Sequence, residues 1–298
     1  MQSAVVAARL GRRLRWRMPA REPARRNKEV ITSWKDFLEH PHVASAQSAR
    51  PWVLFRGQAN AEHKLRPSLL RAVCAAHGKD PSHAQVVEYE EACRVEFAAQ
   101  AHLYLGASLL SGVPTTLHWW MHMQHFIAPT RLLDWSRSPF VAAYFACESN
   151  PEGDGAVWSL DVRLGDFTMP TSFSDTPTNR QRKDTERVFL AEKPKRTLHL
   201  LNMGLRNERM VAQQGVFMLS PDAAALHDDI LRDLPEQDPK EPKFRKIQIP
   251  KEKKREFFHH LLAMNINARS LFPGIDGVGR SISELARFDA LPDLHPEP

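Results

Sequence analysis

Two short segments hold more charged and hydrogen-bonding residues than a protein core requires. The first is Phe55-Arg56-Gly57-Gln58, at the end of a predicted strand. An arginine at that point, followed by a glycine that lets a ligand approach the backbone, suits a phosphate or a ribose. An arginine that only pairs with a carboxylate at a strand end is the alternative interpretation.

The second segment covers residues 118–145 and connects two apolar helical runs. The helix that begins at Ser138 directs its first backbone amides toward residues 134–136, which favours a bound anion. A structural ion pair between Arg131 and Asp134 is the alternative. The polar residues that we regard as candidates for a site are His125, Arg131, Asp134 and Ser136.

Three histidines of the second segment, His118, His122 and His125, have the i, i+4, i+7 spacing of one helix face. That spacing is compatible with a zinc ion. However, no glutamate follows His118 as in the HExxH pattern, and tryptophan and methionine surround the histidines. We therefore predict no metal site and interpret His125, at the end of the helix, as the polar member of the group.

A third polar segment covers residues 208–217 and places Gln213 and Gln214 before a glycine and a short strand. Two amides at such a point can hydrogen-bond a ligand, or they can only close a turn. Glu208 is the carboxylate of this segment. The later Leu271–Gly277 segment is predicted to be a structural turn and helix cap.

Charge is distributed unevenly along the chain. Residues 1–28 contain eight arginines and Lys28 against Glu22, so their net charge is +8 and the remainder carries −2. The basic segment is predicted to be a disordered extension, an arm for nucleic acid or a membrane surface, or a targeting peptide. The three cysteines contain no CxxC pair, which favours a reducing, cytoplasmic compartment. No apolar run approaches the roughly 18 residues of a membrane span.

The elements that must position these segments mix strands and helices without βαβ alternation, which predicts an α+β fold of mixed small sheets with helices. We expect a tail over residues 1–30, one domain over residues 31–290 and a flexible end over residues 291–298. The polar segment 165–184 is long enough to be a lid or a disordered insert. Strands are predicted at Pro51–Arg56, from Gly155, at Arg196–Leu201, at Val216–Ser220 and at Phe244–Ile249, and helices near Pro67, Ser82, Thr115, Ser138 and Pro250.

These segments resemble those of the FRG domain, which is named for its Phe/Tyr-Arg-Gly motif. The similar segments are FRGQ with LRPSLLR, then MQHFIAPTRLLDWSRSPFVAAYFA, then ERMVAQQGVF, then SLFPGIDG, all within residues 34–288. FRG domains occur mostly in bacterial and phage-related proteins, and the family name supplies no reaction.

A more distant resemblance is to ADP-ribosyltransferases of the Arg-Ser-Glu class. These enzymes carry an aromatic-Arg-Gly strand, then a Ser-Thr-Ser strand that leads into a Val-Ala-x-x-Phe helix, and finally a Glu before another strand. Phe55–Gly57 is similar to the first element. Asp134–Ser136 with Val141–Phe145 is similar to the second.

In this chain Gln213 and Gln214 occupy the place of the final glutamate. Cleavage of the nicotinamide–ribose bond passes through an oxocarbenium-like state, which a carboxylate stabilises. Glutamine can hold a ribose hydroxyl but cannot act as a base. If the chemistry is retained, the resemblance implies that Glu208 or Asp134 supplies the carboxylate.

The resemblance implies an ADP-ribosyltransferase-like core that uses NAD as substrate and transfers ADP-ribose to a protein or nucleic acid. It also implies a bacterial toxin or phage-defence effector with an antitoxin or defence-system partner. A non-catalytic nucleotide-sensing module and a nucleic-acid-acting enzyme with a basic arm are the alternatives. The implied catalytic residues are Arg56, Asp134, Gln214 and Glu208, and the implied NAD-binding residues are Arg56, Gly57, His125, Arg131, Ser136 and Gln213.

Overall fold

The computed structural model describes residues 28–46, 52–78, 81–105, 115–164, 167, 187–201, 208–234 and 243–291. These residues form one sheet of seven strands flanked by helices, which confirms the predicted α+β fold class, although the strands join in one sheet and not in several small ones. The strands are β1 (Lys28–Val30), β2 (Val53–Gln58), β3 (Leu133–Ser136), β4 (Gly155–Asp161), β5 (His199–Leu201), β6 (Gly215–Leu219) and β7 (Phe244–Ile249). The helices are α1 (Trp34–Glu39), α2 (Pro41–Ser45), α3 (Ser68–His77), α4 (His83–Ala101), α5 (Thr116–His125), α6 (Pro139–Cys147), α7 (Glu208–Ala212), α8 (His227–Arg232), α9 (Lys254–Ala263), α10 (Ala268–Leu271) and α11 (Ile275–Arg287).

The strand order is β1-β7-β4-β2-β3-β6-β5. Strand β1 runs parallel to β7, and all other neighbours are antiparallel. Since β2 lies at the middle of the sheet, both of its faces are covered. Phe55 packs in the core on one face, and Leu54 packs in the core on the other.

Helix α6 covers the face of the sheet that carries Phe55. Almost every residue of the helix is apolar and buried, so it sits deep in this core. Gly57 permits the close approach, because a Cβ there would lie 1.9 Å from the carbonyl oxygen of Ala142 and 2.8 Å from the amide nitrogen of Ala146. The last turn of α6 is therefore held against the Arg-Gly end of β2.

Several predicted helix starts are confirmed by their capping bonds. Ser82 caps α4 in a capping box with Gln85, and Thr115 caps α5. The hydroxyl of Ser138 accepts a hydrogen bond from the amide of Val141 at the start of α6. Local hydrogen bonding, which a sequence displays directly, defines these boundaries.

Two segments differ from the sequence interpretation. Residues 133–136, taken as a connection between helices, form the short strand β3. Lys28–Val30, within the expected tail, forms the edge strand β1 beside β7. Both strands are too short to show an alternating pattern of their own, so the sheet determines their conformation. Within residues 165–184 the structure describes only Phe167, and the expected lid or insert otherwise lies outside the described residues.

The segment predicted as a tail lies outside the described residues up to residue 27, and the segment predicted as a flexible end lies outside them after Leu291. The predicted turn and helix cap is present but shorter than Leu271–Gly277: residues 272–274 connect α10 to α11, and Gly274 is the N-cap residue of α11 with φ 113°. Within the described part of the chain, no helix has the length and apolar character needed to cross a membrane.

Candidate functional site

The candidate site lies where β2 and β3 separate. The two strands share the single pair Phe55–Ser136, whereas β2 pairs with β4 along its whole length, Val53–Gln58. Beyond that pair the strands diverge, and a cleft of about 600 Å³ opens between them. The end of α6 and the segment after α7 form its other walls. The residues of the cleft that carry the argument below are Arg56, Gly57, Arg71, Asp134, Trp135, Ser136, Glu148, Arg209 and Gln213.

Arg56 lies in this gap with its charge only partly compensated. Its Nη1 donates a 2.5 Å hydrogen bond to the backbone carbonyl of Asp134. Its Nε is buried and has no hydrogen-bond partner among the residues that the structure describes. Burial lowers the pKa of Arg56, and the negative charge of Asp134 opposes that change. A buried guanidinium with an unused donor is suited to an anionic acceptor.

Within the described ranges, two further buried nitrogen atoms in this part of the fold also have no partner. One is Nε1 of Trp135, a residue that lines the cleft, and the other is Nδ1 of His227. Burial and the charge of Arg56 lower the pKa of His227 to about 3, so its ring is neutral near pH 7. Buried polar atoms are normally paired, and unpaired ones often mark a site for a ligand or water.

The carboxylate of Asp134 is exposed in the cleft and is oriented by its neighbours. Its Oδ2 accepts a 2.6 Å hydrogen bond from Nε2 of Gln124. The Oε1 of Gln124 in turn accepts a hydrogen bond from the hydroxyl of Thr130. This chain of bonds fixes the carboxylate while leaving its other oxygen for a ligand. Gln124, at the end of α5, thus acts on the site through Asp134.

The two glutamines have different places. The Ser136 hydroxyl donates to the carbonyl of Gln213 at 2.8 Å, and the amide of Arg137 donates to the carbonyl of Gln214 at 3.1 Å. Gln213 lines the cleft, and its Nε2 donates to the carbonyl of Leu271. Gln214 has φ 49° and closes the turn into β6, outside the cleft lining.

Arg131 also lies outside the cleft, because a buried ion pair holds it elsewhere. Its Nε and Nη2 donate to the carboxylate of Glu90. Its Nη1 donates to the carbonyls of Phe189 and Pro221, and its guanidinium lies 4.5 Å from the ring centre of Trp120. These contacts occupy all three nitrogen atoms of the Arg131 guanidinium group and connect α4 to the start of β3.

The remaining candidates from the sequence are near the site but do not line it. His125 ends α5, and its carbonyl accepts a 3.2 Å hydrogen bond from Nη1 of Arg209. Glu208 is exposed in the first turn of α7. The structure therefore brings together Arg56, Gly57, Asp134, Ser136 and Gln213, and leaves Gln214, Glu208, His125 and Arg131 outside the lining.

Three charged residues of the cleft were not identified from the sequence: Arg71, Arg209 and Glu148. The Arg209 guanidinium lies 4.8 Å from the ring centre of Phe272. The only signal for Arg209 was its place in the polar segment 208–217. Glu148 ends a long apolar helix, and a single acid at such a position is usually a solvated helix end.

The cleft therefore combines three guanidinium groups with two carboxylates. Cations are in excess, so the site suits an anion, while the carboxylates and amides can hold hydroxyl groups. A phosphate-bearing ligand with a sugar has this combination of groups. Among the described residues, no group of three or more His, Cys, Asp or Glu side chains is arranged to bind a metal ion.

Comparison with known families supports the first of the two resemblances. A family model of the FRG domain matches residues 51–155 of the 298-residue chain. The match includes β2, β3, α6 and the start of β4, and the ERMVAQQGVF and SLFPGIDG segments lie beyond it. No curated protein and no solved structure gives a significant match. The chain contains an FRG domain, and Arg56, Asp134 and Glu148 of the cleft belong to it.

Proposed function

We propose that the cleft binds NAD and that the chain is an ADP-ribosyltransferase-like enzyme. One observation carries the proposal. The three elements of the resemblance correspond to β2, β3 and β6, which are neighbours in the sheet. Ser136 and Gln213 are joined by a hydrogen bond, although 77 residues separate them in the sequence. Arg56, Ser136 and Gln213, one from each element, line the same cleft. A chance likeness in sequence gives no reason for that convergence.

The proposed binding mode follows from the charges. Arg56 and Trp135, which line the same cleft, hold the pyrophosphate, since each has a buried donor with no partner in the described part of the chain. Asp134 accepts hydrogen bonds from a ribose, and the segment of Ser136 and Gln213 forms the wall beside it. The cleft volume of about 600 Å³ lies in the range of small-molecule sites, about 300–1,000 Å³.

In the proposed reaction the bond between nicotinamide and ribose C1′ breaks, and positive charge develops on the ribose. Negative groups fixed beside that position stabilise the charge without reorganisation. Asp134 is such a group, because Gln124 holds its carboxylate in the cleft. ADP-ribose then passes to a macromolecular acceptor or to water. Modification of a protein or nucleic acid in this way is consistent with a toxin or a phage-defence effector.

Nicotinamide release tests the proposal directly. The protein is incubated with NAD, alone and with candidate protein and nucleic-acid acceptors, and free nicotinamide is measured. We expect release by the wild type and at least about a tenfold lower rate for Arg56→Gln, which removes a charged hydrogen-bond donor. Arg255→Gln, a change at an exposed arginine of α9, is the matched control. Absence of release by the wild type under all these conditions contradicts the proposal.

A non-catalytic nucleotide-binding module is the second candidate. It is favoured by the glutamine positions, because the Gln213 amide is directed to the Leu271 carbonyl and Gln214 lies outside the lining. Calorimetry with NAD separates the two functions. Binding that persists for hours without nicotinamide release supports the module, and turnover excludes it.

A further inference from the structure

Glu148 lies on the wall of the cleft next to the Arg-Gly end of β2. The contact of Gly57 with Ala142 and Ala146 holds the last turn of α6 against this strand. Glu148 follows that turn as its C-cap residue and lines the cleft. The negative charge of Glu148 is felt by Arg209, another cleft residue. The carboxylate thus has a defined position relative to the arginines of the site.

The backbone around Glu148 is held from two sides. Nη1 of Arg287 donates to the Glu148 carbonyl. The buried Lys254 donates from Nζ to the carbonyls of Ser149 at 3.1 Å and Asn150 at 2.8 Å. Hydrogen bonds from a buried ammonium group restrict the movement of the loop that accepts them. The loop after α6 is therefore a fixed part of the cleft wall.

The hydroxyl of Tyr144 donates its hydrogen bond to Oε1 of Glu284, and it also lies close enough to the Glu148 carboxyl group to lower the pKa of that group. The other oxygen of Glu284 accepts a 3.1 Å bond from the amide of Ala268, so Glu284 is fully engaged inside the fold. Burial raises the pKa of Tyr144, and the phenol remains a donor. The Tyr144 hydroxyl and the Glu284 carboxylate thus form part of the immediate surroundings of the Glu148 carboxyl group.

The charged groups that face Glu148 come from α11 and α7. Burial and, to a smaller extent, the charge of Glu284 raise the pKa of Glu148 to about 7, whereas Tyr144, Arg280 and Arg287 oppose the change. Arg209 on α7 is a further cation that interacts with Glu148. General bases are commonly carboxyl groups that lie in a cleft and titrate near neutral pH.

We propose that Glu148 is the general base of the NAD reaction, in place of the glutamate that Gln213 and Gln214 replace; this inference rests on the function proposed above. The bond between ribose C1′ and the nicotinamide nitrogen breaks, and nicotinamide leaves with the electron pair. The oxygen of an acceptor hydroxyl or a water bonds to C1′. The proton of that oxygen passes to the Glu148 carboxylate and then to solvent, and no redox change occurs.

The other carboxylates fit this role less well. Glu208 is exposed and outside the cleft lining. Asp134 accepts a hydrogen bond from Gln124 and lies beside Arg56, which suits it to hold a ribose or stabilise positive charge. Glu148 lies in the cleft and has a pKa that burial and the Glu284 charge raise to about 7.

The test compares Glu148→Gln with Glu152→Gln, a control in which the exposed glutamate of the same loop is changed. Calorimetry measures NAD affinity, and a nicotinamide assay measures turnover. We expect Glu148→Gln to bind NAD within about threefold of the wild type and to lose about 100-fold or more in turnover. Glu152→Gln is expected to match the wild type in both. Thermal unfolding of each variant verifies that it is folded.

The pH profile adds a readout that a purely structural role would not change. For the wild type the rate rises with pH around the Glu148 pKa of about 7. Glu284→Gln removes the like charge behind Tyr144 and is expected to move that midpoint to lower pH. If Glu284→Gln keeps the wild-type midpoint, Glu148 is not the group whose titration controls the rate.

The outcomes separate the two proposals. If the wild type neither binds nor cleaves NAD, the proposed function fails and the role of Glu148 fails with it. If the wild type cleaves NAD and Glu148→Gln cleaves it equally fast, only the role of Glu148 is wrong. If Glu148→Gln folds but no longer binds NAD, Glu148 is a binding residue and the assignment as a base is overturned.

Discussion

The guanidinium of Arg56 donates a hydrogen bond to the backbone carbonyl of Asp134, 78 residues further along the chain. This bond joins β2 to β3 where the two strands stop pairing. Because its acceptor is a carbonyl and not a carboxylate, it fixes the arginine without neutralising it. A charged donor is thereby held in the cleft between the strands, and its Nε is not paired with any residue in the described ranges.

Substitution of Arg56 by lysine is expected to affect ligand binding more than stability. Lysine keeps the charge and can reach a carbonyl, but it lacks the planar fork that holds two phosphate oxygens. We expect the NAD affinity of Arg56→Lys to fall about tenfold or more, while the free energy of unfolding stays within about 1 kcal/mol of wild type. Calorimetry and urea unfolding measure the two quantities. Unchanged affinity would remove Arg56 from the proposed binding mode.

Substitution of Arg131 is expected to affect stability and not binding. Arg131→Met leaves the buried Glu90 carboxylate without its partner, which costs about 3–5 kcal/mol of unfolding free energy. The double variant Arg131→Met with Glu90→Leu removes both charges and should recover much of that loss. Urea unfolding of the two single variants and the double variant measures this coupling. An Arg131→Met protein of normal stability that has lost NAD affinity would instead place Arg131 in the site.

The glycine of the Phe-Arg-Gly motif is predicted to be required for packing. In Gly57→Ala the new methyl group would meet the Ala142 carbonyl at 1.9 Å, so α6 must move away from β2. Overpacking of this kind costs about 1–3 kcal/mol. Gly279→Ala in α11 is the control, because a Cβ there meets nothing within 4 Å. Thermal unfolding is expected to show a large loss for the first variant and none for the second.

The protonation of Glu148 predicts how stability depends on pH. Its pKa is raised from an ordinary 4.5 to about 7, so the folded state binds the proton more tightly than the unfolded state. The contribution to stability is complete below the unfolded pKa and is lost as pH rises through the folded pKa, with a slope of at most about 1.4 kcal/mol per pH unit.

Urea unfolding at about pH 5 and about pH 7 measures that dependence. Glu148→Gln cannot titrate, so the stability of the wild type relative to this variant should decline as pH rises over this window. His42 and His227, whose folded-state pKa values are lowered to about 4 and about 3, add stability as pH rises, but they do so equally in both proteins and cancel in the comparison. Equal slopes for the wild type and Glu148→Gln would contradict the raised pKa.

The elements with local signals were predictable from the sequence. The capping pattern at Ser82 and the Ser-Pro pair at Ser138 predicted helix starts that the structure contains. Strand β4 follows Gly155 as its β-branched and aromatic residues indicated. Strand β3 was not predicted, because four residues beside a Pro-rich turn show no periodicity and depend on pairing with β6.

The site was predictable only in part, because charge in a sequence does not reveal its partner. Arg131 and Arg56 lie in similar apolar contexts, yet Arg131 is paired with Glu90 from the distant helix α4 and Arg56 faces a cleft. The importance of Glu148 depends on Tyr144, which is one helical turn away, and on Glu284, which is 140 residues away from Tyr144. Only the fold brings these groups together.

The central claim is that the cleft between β2 and β3 binds NAD through Arg56. Calorimetric titration of the wild-type protein with NAD, beside Arg56→Gln and the surface control Arg255→Gln, tests it most directly. We predict saturable binding at one site, an affinity at least about tenfold weaker for Arg56→Gln, and no change for Arg255→Gln. No binding by the folded wild type, or equal binding by all three proteins, would contradict the claim.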